Sequence, residues 1–474
     1  MEAQETLAGF IDSPVDRATL ALVYGRRRIG KSTLLVAESD RRSGFYFEAT
    51  RGTVQSQLEN LGRELGEHLG VGPLSFDGWA SAIDALLRLG NNHPIPVVLD
   101  EFGHILEADS TVDSVLAKAL GPGARRGRNS RARLILCGSA ISLMRALTSG
   151  QAPLRGRAGL ELIMTPDSFR TAATRLPTAN LVTACDTYAV IGGVVGYATD
   201  MVGFDLPKNR NDFDRWVVDR VLSPAATLHH EAVTLFAEDP TISGPGAALH
   251  HGILSAIANG SVSAGAISKK IGKPVSNLAP ALHRLVEAGF VVRHEDPIRA
   301  QRPLYALNDP FLQFHYAVLA SNTSLLRDRN PAETWNGRLR HTFDSRVRGP
   351  VFEEQARIWI RRYSSDTTVP VRDYIGPSGV AINGKVHELD LVIAAGSETH
   401  AKRTVHAIGE AKAGEVIGRS HVLRLEAVRE ELGVRAADAK LVLFGTNFES
   451  AVRKDGVRRS DLELVDLERL YHGE

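Results

Sequence analysis

The sequence predicts an α/β protein: a parallel-sheet core, then a helical lid, a small helix-and-hairpin domain and a second α/β domain. Three observations predict it. Apolar runs at 20–24, 45–49, 95–102 and 133–139 alternate with helical patterns, which implies right-handed crossovers and a parallel sheet. A glycine-rich loop joins the first run to the first helix. Towards the C-terminus, apolar runs at 388–393 and 405–412 carry acidic and basic residues at related positions.

The first apolar run leads into Gly25-Arg26-Arg27-Arg28-Ile29-Gly30-Lys31-Ser32-Thr33. Gly25, Gly30, Lys31 and Ser32 fit G-x-x-x-x-G-K-[ST], the phosphate-binding loop. Two glycines allow a tight turn whose N–H groups wrap a phosphate, and the helix that follows adds favourable partial positive charge. Lys31 is expected to reach the β- and γ-phosphates of ATP, and Ser32 to hold Mg2+. The core is therefore expected to be a P-loop NTPase.

The helical patterns at 54–69 and 76–89 carry leucine and tryptophan stripes that read as core. The run at 95–102 ends in Asp100 and Glu101. After a phosphate loop, Asp100 is expected to be the magnesium-linked carboxylate and Glu101 the base that polarises the attacking water. Ser139 ends the next run, either as a sensor of the γ-phosphate or as a helix cap. Arg125, Arg126, Arg128, Arg131 and Arg133 form a basic stretch, read as a solvated loop or a DNA-facing patch. Arg155 and Arg157 are read as surface ion-pair partners, or as a finger stabilising transition-state charge in cis or across a homo-oligomer interface.

A glycine-dense stretch, 188–197, marks a helix end in the lid. Residues 250–308 read as a winged helix: three helices with a pairing strand on either side of a loop. The third helix offers Ser276, Asn277, His283 and Arg284 to DNA, with Lys269, Lys270 and Lys273 for phosphates. Winged helices also serve as protein–protein modules.

Beyond 323, a helix carrying Glu353 precedes a strand with Asp390 and a strand with Glu410 and Lys412. The last two are two apart and share a face. Two carboxylates, Asp390 and Glu410, suit a divalent metal ion, and Lys412 can orient or deprotonate water. Glu353 is the fourth expected member. The domains are thus expected at 1–174, 175–245, 246–322 and 323–474.

Composition sets the remaining bounds. A net charge of +1 carries no polyelectrolyte signal, so any nucleic-acid surface must be local. Two cysteines, Cys137 and Cys185, make no disulfide framework or metal spacing. With no signal-like N-terminus and no apolar span, a cytoplasmic protein without a membrane partner is expected.

Together the phosphate loop, the Leu99-Asp100-Glu101-Phe102 strand end and the Gly138-Ser139 strand resemble the archaeal-type ATPases of prokaryotes, AAA+/STAND-related P-loop proteins. Asn308-Asp309-Pro310-Phe311 resembles that family's junction after the winged helix. The C-terminal region resembles the PD-(D/E)xK, restriction-endonuclease-like fold. In the lid motif Gly-Gly-x-Pro-x-Tyr, Val195 replaces the proline. The resemblance implies ATP binding and slow hydrolysis, coupled to a DNA-binding winged helix and a metal-dependent nuclease domain. The alternative is a nucleotide-switched DNA- or protein-binding regulator with an inert C-terminal domain.

Overall fold

The computed structural model describes residues 2–178, 180–237, 240–244, 246–300 and 302–474. It contains two compact units, Met1–Pro166 with Leu235–Gly244, and Asp167–Thr234 with Pro245–Glu474. Each is described by itself.

The first unit is built on five parallel strands: β1 (Thr19–Tyr24), β2 (Phe45–Glu48), β3 (Ile95–Asp100), β4 (Ala132–Gly138) and β5 (Ala158–Ile163). Their order is β2-β3-β4-β1-β5. Every residue of β3 and β4 is buried, as is β1 after Thr19. Helices cover both faces of such a sheet, so its central strands read as unbroken apolar runs. β5 was not anticipated. It lies at the edge, alternates half-buried and exposed residues, and has no apolar run to give it away.

The helix Glu2–Ile11 was not anticipated either. It buries Leu7 and Ile11 in a cluster with Leu35, Val98 and Ile135. The basic stretch divides, with Arg125 and Arg128 exposed and Arg133 buried. Arg125–Arg128 is a helical turn, and Arg126 and Arg131 pair with Asp84 and Asp16. Arg133 is fully buried. Its guanidinium donates to the carbonyl oxygens of Ile11, Ser13, Val15, Arg17 and Arg131 at 2.8–3.3 Å. It ties the N-terminal segment to β4 and is no solvated or DNA-facing charge.

In the second unit, the helix Leu181–Ile191 ends at Gly192, whose φ of 62° suits glycine. Residues of the stretch expected as a lid, including Ala184 and Cys185, share a core cluster with Phe352, Trp359 and Phe444. The helices Ala247–Ala258, Ala264–Ile271 and Val275–Glu287 follow. Ser263 caps the second of these and Gly272 ends it in a left-handed conformation. β6 (Val291–His294) and β7 (Leu304–Leu307) then pair antiparallel.

The last part holds a mixed sheet of order β12-β11-β10-β9-β8. Its strands are β8 (Tyr374–Ile382), β9 (Lys385–Ala395), β10 (Thr404–Ile417), β11 (Lys440–Phe448) and β12 (Leu462–Val465). Asn383 and Gly384 both have positive φ and close the β8–β9 hairpin with the turn chemistry that matches strand twist. β9 and β10 are antiparallel, while β10, β11 and β12 run parallel. The helix Gly349–Arg362 packs on this sheet, and Arg419–Leu432, which was not anticipated, joins β10 to β11. Among the described residues, no helix is long and apolar enough to cross a membrane.

Candidate functional site

β1 ends at Tyr24 and the chain turns through the glycine-rich loop into the helix Lys31–Arg41. A Cβ on Gly25 would stand 2.2 Å from the Met164 carbonyl oxygen, so only glycine fits there. Gly30 has open space around it but a φ of 92°, which L side chains rarely adopt. The two glycines are thus needed for different reasons. Lys31 is buried, and its ammonium donates to the carbonyl oxygens of Gly25 and Arg26 at 2.8 and 2.9 Å, closing the loop on itself. It also reaches the Ser139 hydroxyl at 3.0 Å. Burial lowers its pKa, against the pull of Cys137, Glu101 and Asp100. Of the other loop residues, Ile29 and Arg26 are buried, Arg28 is half-buried, and Arg27, Ser32 and Thr33 are exposed.

β4 lies between β1 and β3, so Ser139 stands between the loop and the end of β3. The Ser139 hydroxyl donates to Glu101 Oε1 at 3.3 Å, while Ser32 donates to Asp100 Oδ2 at 2.7 Å. Lys31, Ser139, Glu101, Ser32 and Asp100 therefore meet at the carboxyl ends of three strands, where parallel sheets bind ligands. Glu101 has φ 48° and ψ 44°, a left-handed conformation that costs a glutamate about 1–3 kcal/mol. That turn places its carboxylate beside Ser139 while Asp100 keeps its own in the sheet.

Two residues at this site carried no sequence signal. Tyr46, on β2, donates its hydroxyl to Asp100 Oδ2 at 2.7 Å. The Cys137 thiol on β4 is buried, and burial keeps it protonated. Asp100 Oδ1 accepts from the Glu101 amide at 2.8 Å. Burial pushes the Asp100 carboxyl up, yet the nearby Cys137 thiol and the bonds from Ser32, Tyr46 and Glu101 outweigh it, and its pKa lies below the usual carboxylate range. Arg157 stays outside this group. It is exposed, and its hydrogen bond goes to the carbonyl of Pro153, in its own loop, at 3.4 Å. Arg155 likewise bonds to Gly150.

The C-terminal residues converge in part. Lys412 reaches Asp390 Oδ2 at 3.2 Å, and the Ala411 amide donates to the same oxygen at 2.9 Å. Glu410 is fully buried, with Arg424 at 2.9 Å. Glu353 lies 4.0 Å from Arg357, which also donates to Glu354 and to the Asp390 carbonyl at 2.8 Å. The two carboxylates expected to hold a metal ion, Asp390 and Glu410, each have a cation beside them, Lys412 and Arg424. Among the described residues, no group of three His, Cys, Asp or Glu side chains stands close enough to hold a metal ion. Arg357 and Arg424, both unforeseen, instead stand where cations compensate these acids.

This crowding separates the acids by proton affinity. Burial, and then the Asp390 charge, push the Glu353 carboxyl up to about 8. Burial also pushes Glu354 up, but Arg357 and His294 hold it down, at about 2. Burial raises Glu410 against the pull of Arg424 and Lys412. Lys412 is drawn up by Asp390 and Glu410 despite its burial.

A test follows for Glu353. Its folded pKa stands above the ordinary 4.5, so the folded state holds the extra proton and stability is lost as pH rises from about 4.5 to about 8. Glu353→Gln copies the neutral form. In urea titrations across that range, the variant is expected to lack the decline and to be the more stable chain above pH 8. Parallel stability curves would refute the assignment.

The three-helix region presents Ser276, Asn277, His283 and Arg284 on an exposed face, with Lys269, Lys270 and Lys273 beside it. The loop after β6 is different, because it is docked. Asp296 accepts from Ser378 on β8 at 2.8 Å, and the Pro297 carbonyl accepts from Arg403 at 3.0 Å. Ile298 sits in a core cluster with Val380 and Leu389. A Cβ on Gly376 would come within 2.5 Å of the Glu295 carbonyl oxygen. His294 itself is buried, 3.3 Å from Glu354.

No family model matches the chain. An uncharacterized protein from Methanocaldococcus jannaschii is 23% identical over 314 residues, covering 65% of this chain and 65% of that protein. The chain thus spans about 65% of the length of the curated relative it matches. Among solved structures, the ORC2 protein of Aeropyrum pernix in its ADPNP–ADP complexes aligns with a TM-score of 0.40 at 17% identity, over 69% of this chain and 93% of that one. The CDC6P of Pyrobaculum aerophilum aligns with a TM-score of 0.34 at 15% identity, over 69% and 94%. These levels of likeness do not define a family for the chain.

Proposed function

We propose that the first unit is an ATP-binding and ATP-hydrolysing P-loop module. One observation carries the reading: Lys31, Ser32, Asp100, Glu101 and Ser139, scattered over more than a hundred residues, form a connected set of hydrogen bonds at one end of the sheet. The loop amides and Lys31 bind the phosphates, and Lys31 exchanges its carbonyl partners for phosphate oxygens. Ser32 and Asp100 would hold Mg2+; the exposed serine hydroxyl donates its proton to Asp100, which leaves its lone pairs for an ion. The ion supplies neutralising charge at the phosphates. Glu101 accepts the proton of the attacking water, and Ser139 relates its position to Lys31.

The lysine-bearing helix face of the second unit is the part suited to nucleic acid. The docked loop after β6 leaves the third helix and the three lysines as the contact surface. For the C-terminal domain, the compensating cations beside Asp390 and Glu410 favour the inert alternative, a nucleotide-switched DNA- or protein-binding regulator. A plasmid assay with Mg2+ or Mn2+, with and without ATP, decides it. The expected result is no cleavage. Cleavage that Asp390→Ala abolishes would restore the nuclease reading.

Assembly has its own test. Arg157 has its hydrogen bond within its own loop, so a finger role for it requires a second copy. Specific ATPase activity is then expected to rise steeply with protein concentration in a dilution series and to lose that dependence in Arg157→Ala. Flat activity across the series would remove Arg157 from the mechanism. Two buried free cysteines accord with the cytoplasmic location proposed for the chain.

A further inference from the structure

We propose that Tyr46 is a positioning residue that aims the Asp100 carboxylate at the divalent ion accompanying ATP. The proposal rests on the ATPase reading above and deepens it.

Asp100 is almost fully buried at the end of β3. Its carboxylate receives donors from three separate segments. Ser32 belongs to the loop helix, Tyr46 to β2, and Glu101 to the turn after β3. Ser32 and Tyr46 both bond to Oδ2, each at 2.7 Å. The terminal torsion of an aspartate is broad and has no strong intrinsic preference. Something must select one orientation if the carboxylate is to serve an ion at a fixed place. Ser32 cannot do so alone, because its own rotamer is free to follow the ligand. Tyr46 can. It is carried by a strand whose register against β3 is set, with Tyr46 opposite Val98 and Glu48 opposite Asp100. Its ring is rigid, and its hydroxyl lies at the end of a fixed reach. β4, on the other side of β3, places the buried Cys137 there and offers no second rigid hydroxyl.

Only Asp100 is buried, with Tyr46 half-buried and Ser32 exposed, so the arrangement chiefly offsets the cost of burying one charge. It also fixes that charge in advance, so that binding an ion needs no reorganisation.

The test uses the full chain, Mn2+ as the ion and a non-hydrolysable ATP analogue. Electron paramagnetic resonance reads free Mn2+, and calorimetry in EDTA reads ion-free analogue binding. Tyr46→Phe is expected to raise the half-saturating Mn2+ concentration about tenfold, the loss of one hydrogen bond to a charged acceptor. It should leave analogue binding in EDTA unchanged. If Tyr46→Phe fails to fold by thermal melting, Tyr46→Leu, which lacks the same hydroxyl, carries the test. Unchanged Mn2+ affinity in the folded variants overturns the proposal, and so does an equal loss of analogue binding in EDTA. A wild-type chain that binds no analogue at all refutes the ATPase reading itself, which is a different failure.

Discussion

Lys31→Ala is expected to abolish tight ATP binding, and Glu101→Gln to preserve binding while removing hydrolysis. The lysine ammonium is a buried cation bonded to the loop carbonyls of Gly25 and Arg26. Each charge-assisted bond to a phosphate is worth about 1.5–3 kcal/mol, so losing two weakens binding roughly a hundredfold or more. Alanine also leaves three acceptors on Gly25, Arg26 and Ser139 without their donor. Thermal melting without nucleotide therefore accompanies the binding measurement, to separate a lost ligand contact from a loosened loop. Glutamine at 101 keeps the size and the approach to Ser139 but cannot take a proton. A drop in turnover of about 10²–10⁴-fold at unchanged affinity is expected. Turnover that survives Glu101→Gln would show that another group accepts the proton.

The second large effect is on folding. Asp186 and Arg348 form a bidentate pair at 2.6 and 2.7 Å, and both are buried. Burial raises the Asp186 pKa even beside Arg348, so the aspartate depends on that partner for its charge. Arg348 also reaches Asp344 at 2.7 Å. Removing one member of such a pair strands the other, and Arg348→Ala is expected to destabilise the second unit by about 3–5 kcal/mol. Replacing both, Asp186→Leu with Arg348→Met, should recover most of that loss, because no buried charge remains. Tryptophan fluorescence in urea suits the measurement, since Trp216, Trp335 and Trp359 lie in the second unit and only Trp79 in the first. A double variant as unstable as the single one would mean that the pair's value is in its packing.

The consequence of this pair reaches the acidic cluster. Asp186 sits on the helix Leu181–Ile191, and Arg348 directly precedes the helix that carries Glu353 and Glu354. Loosening it should therefore shift the pH dependence assigned to Glu353. That dependence belongs to a region where Arg357, Lys412 and Arg424 each stand beside a carboxylate.

The phosphate loop was legible because its demands are local. Gly30 marks backbone that other residues rarely adopt, the apolar runs mark central parallel strands, and Asp100-Glu101 stands at the end of one of them. Glu410 and Lys412 share a face because strand periodicity is two. What stayed hidden depends on which strand lies beside which. Nothing within 45–49 says that Tyr46 will face Asp100, since that requires β2 to pair with β3. Nothing within 125–133 separates Arg131, on the surface, from Arg133, beneath the N-terminal segment.

The sequence by itself thus determined the phosphate loop, its two carboxylates and the acidic and basic pattern near the C-terminus, since each is written in short spacings and backbone preference. Only the tertiary structure decided the partners. It placed β4 between the loop strand and β3, gave Asp100 its tyrosine, brought Arg424 to Glu410, and docked the loop after β6 onto β8. Hydrogen bonds and charge compensation act over a few ångströms in space, and residues far apart in the chain come within that reach only when the strand order and helix packing are complete.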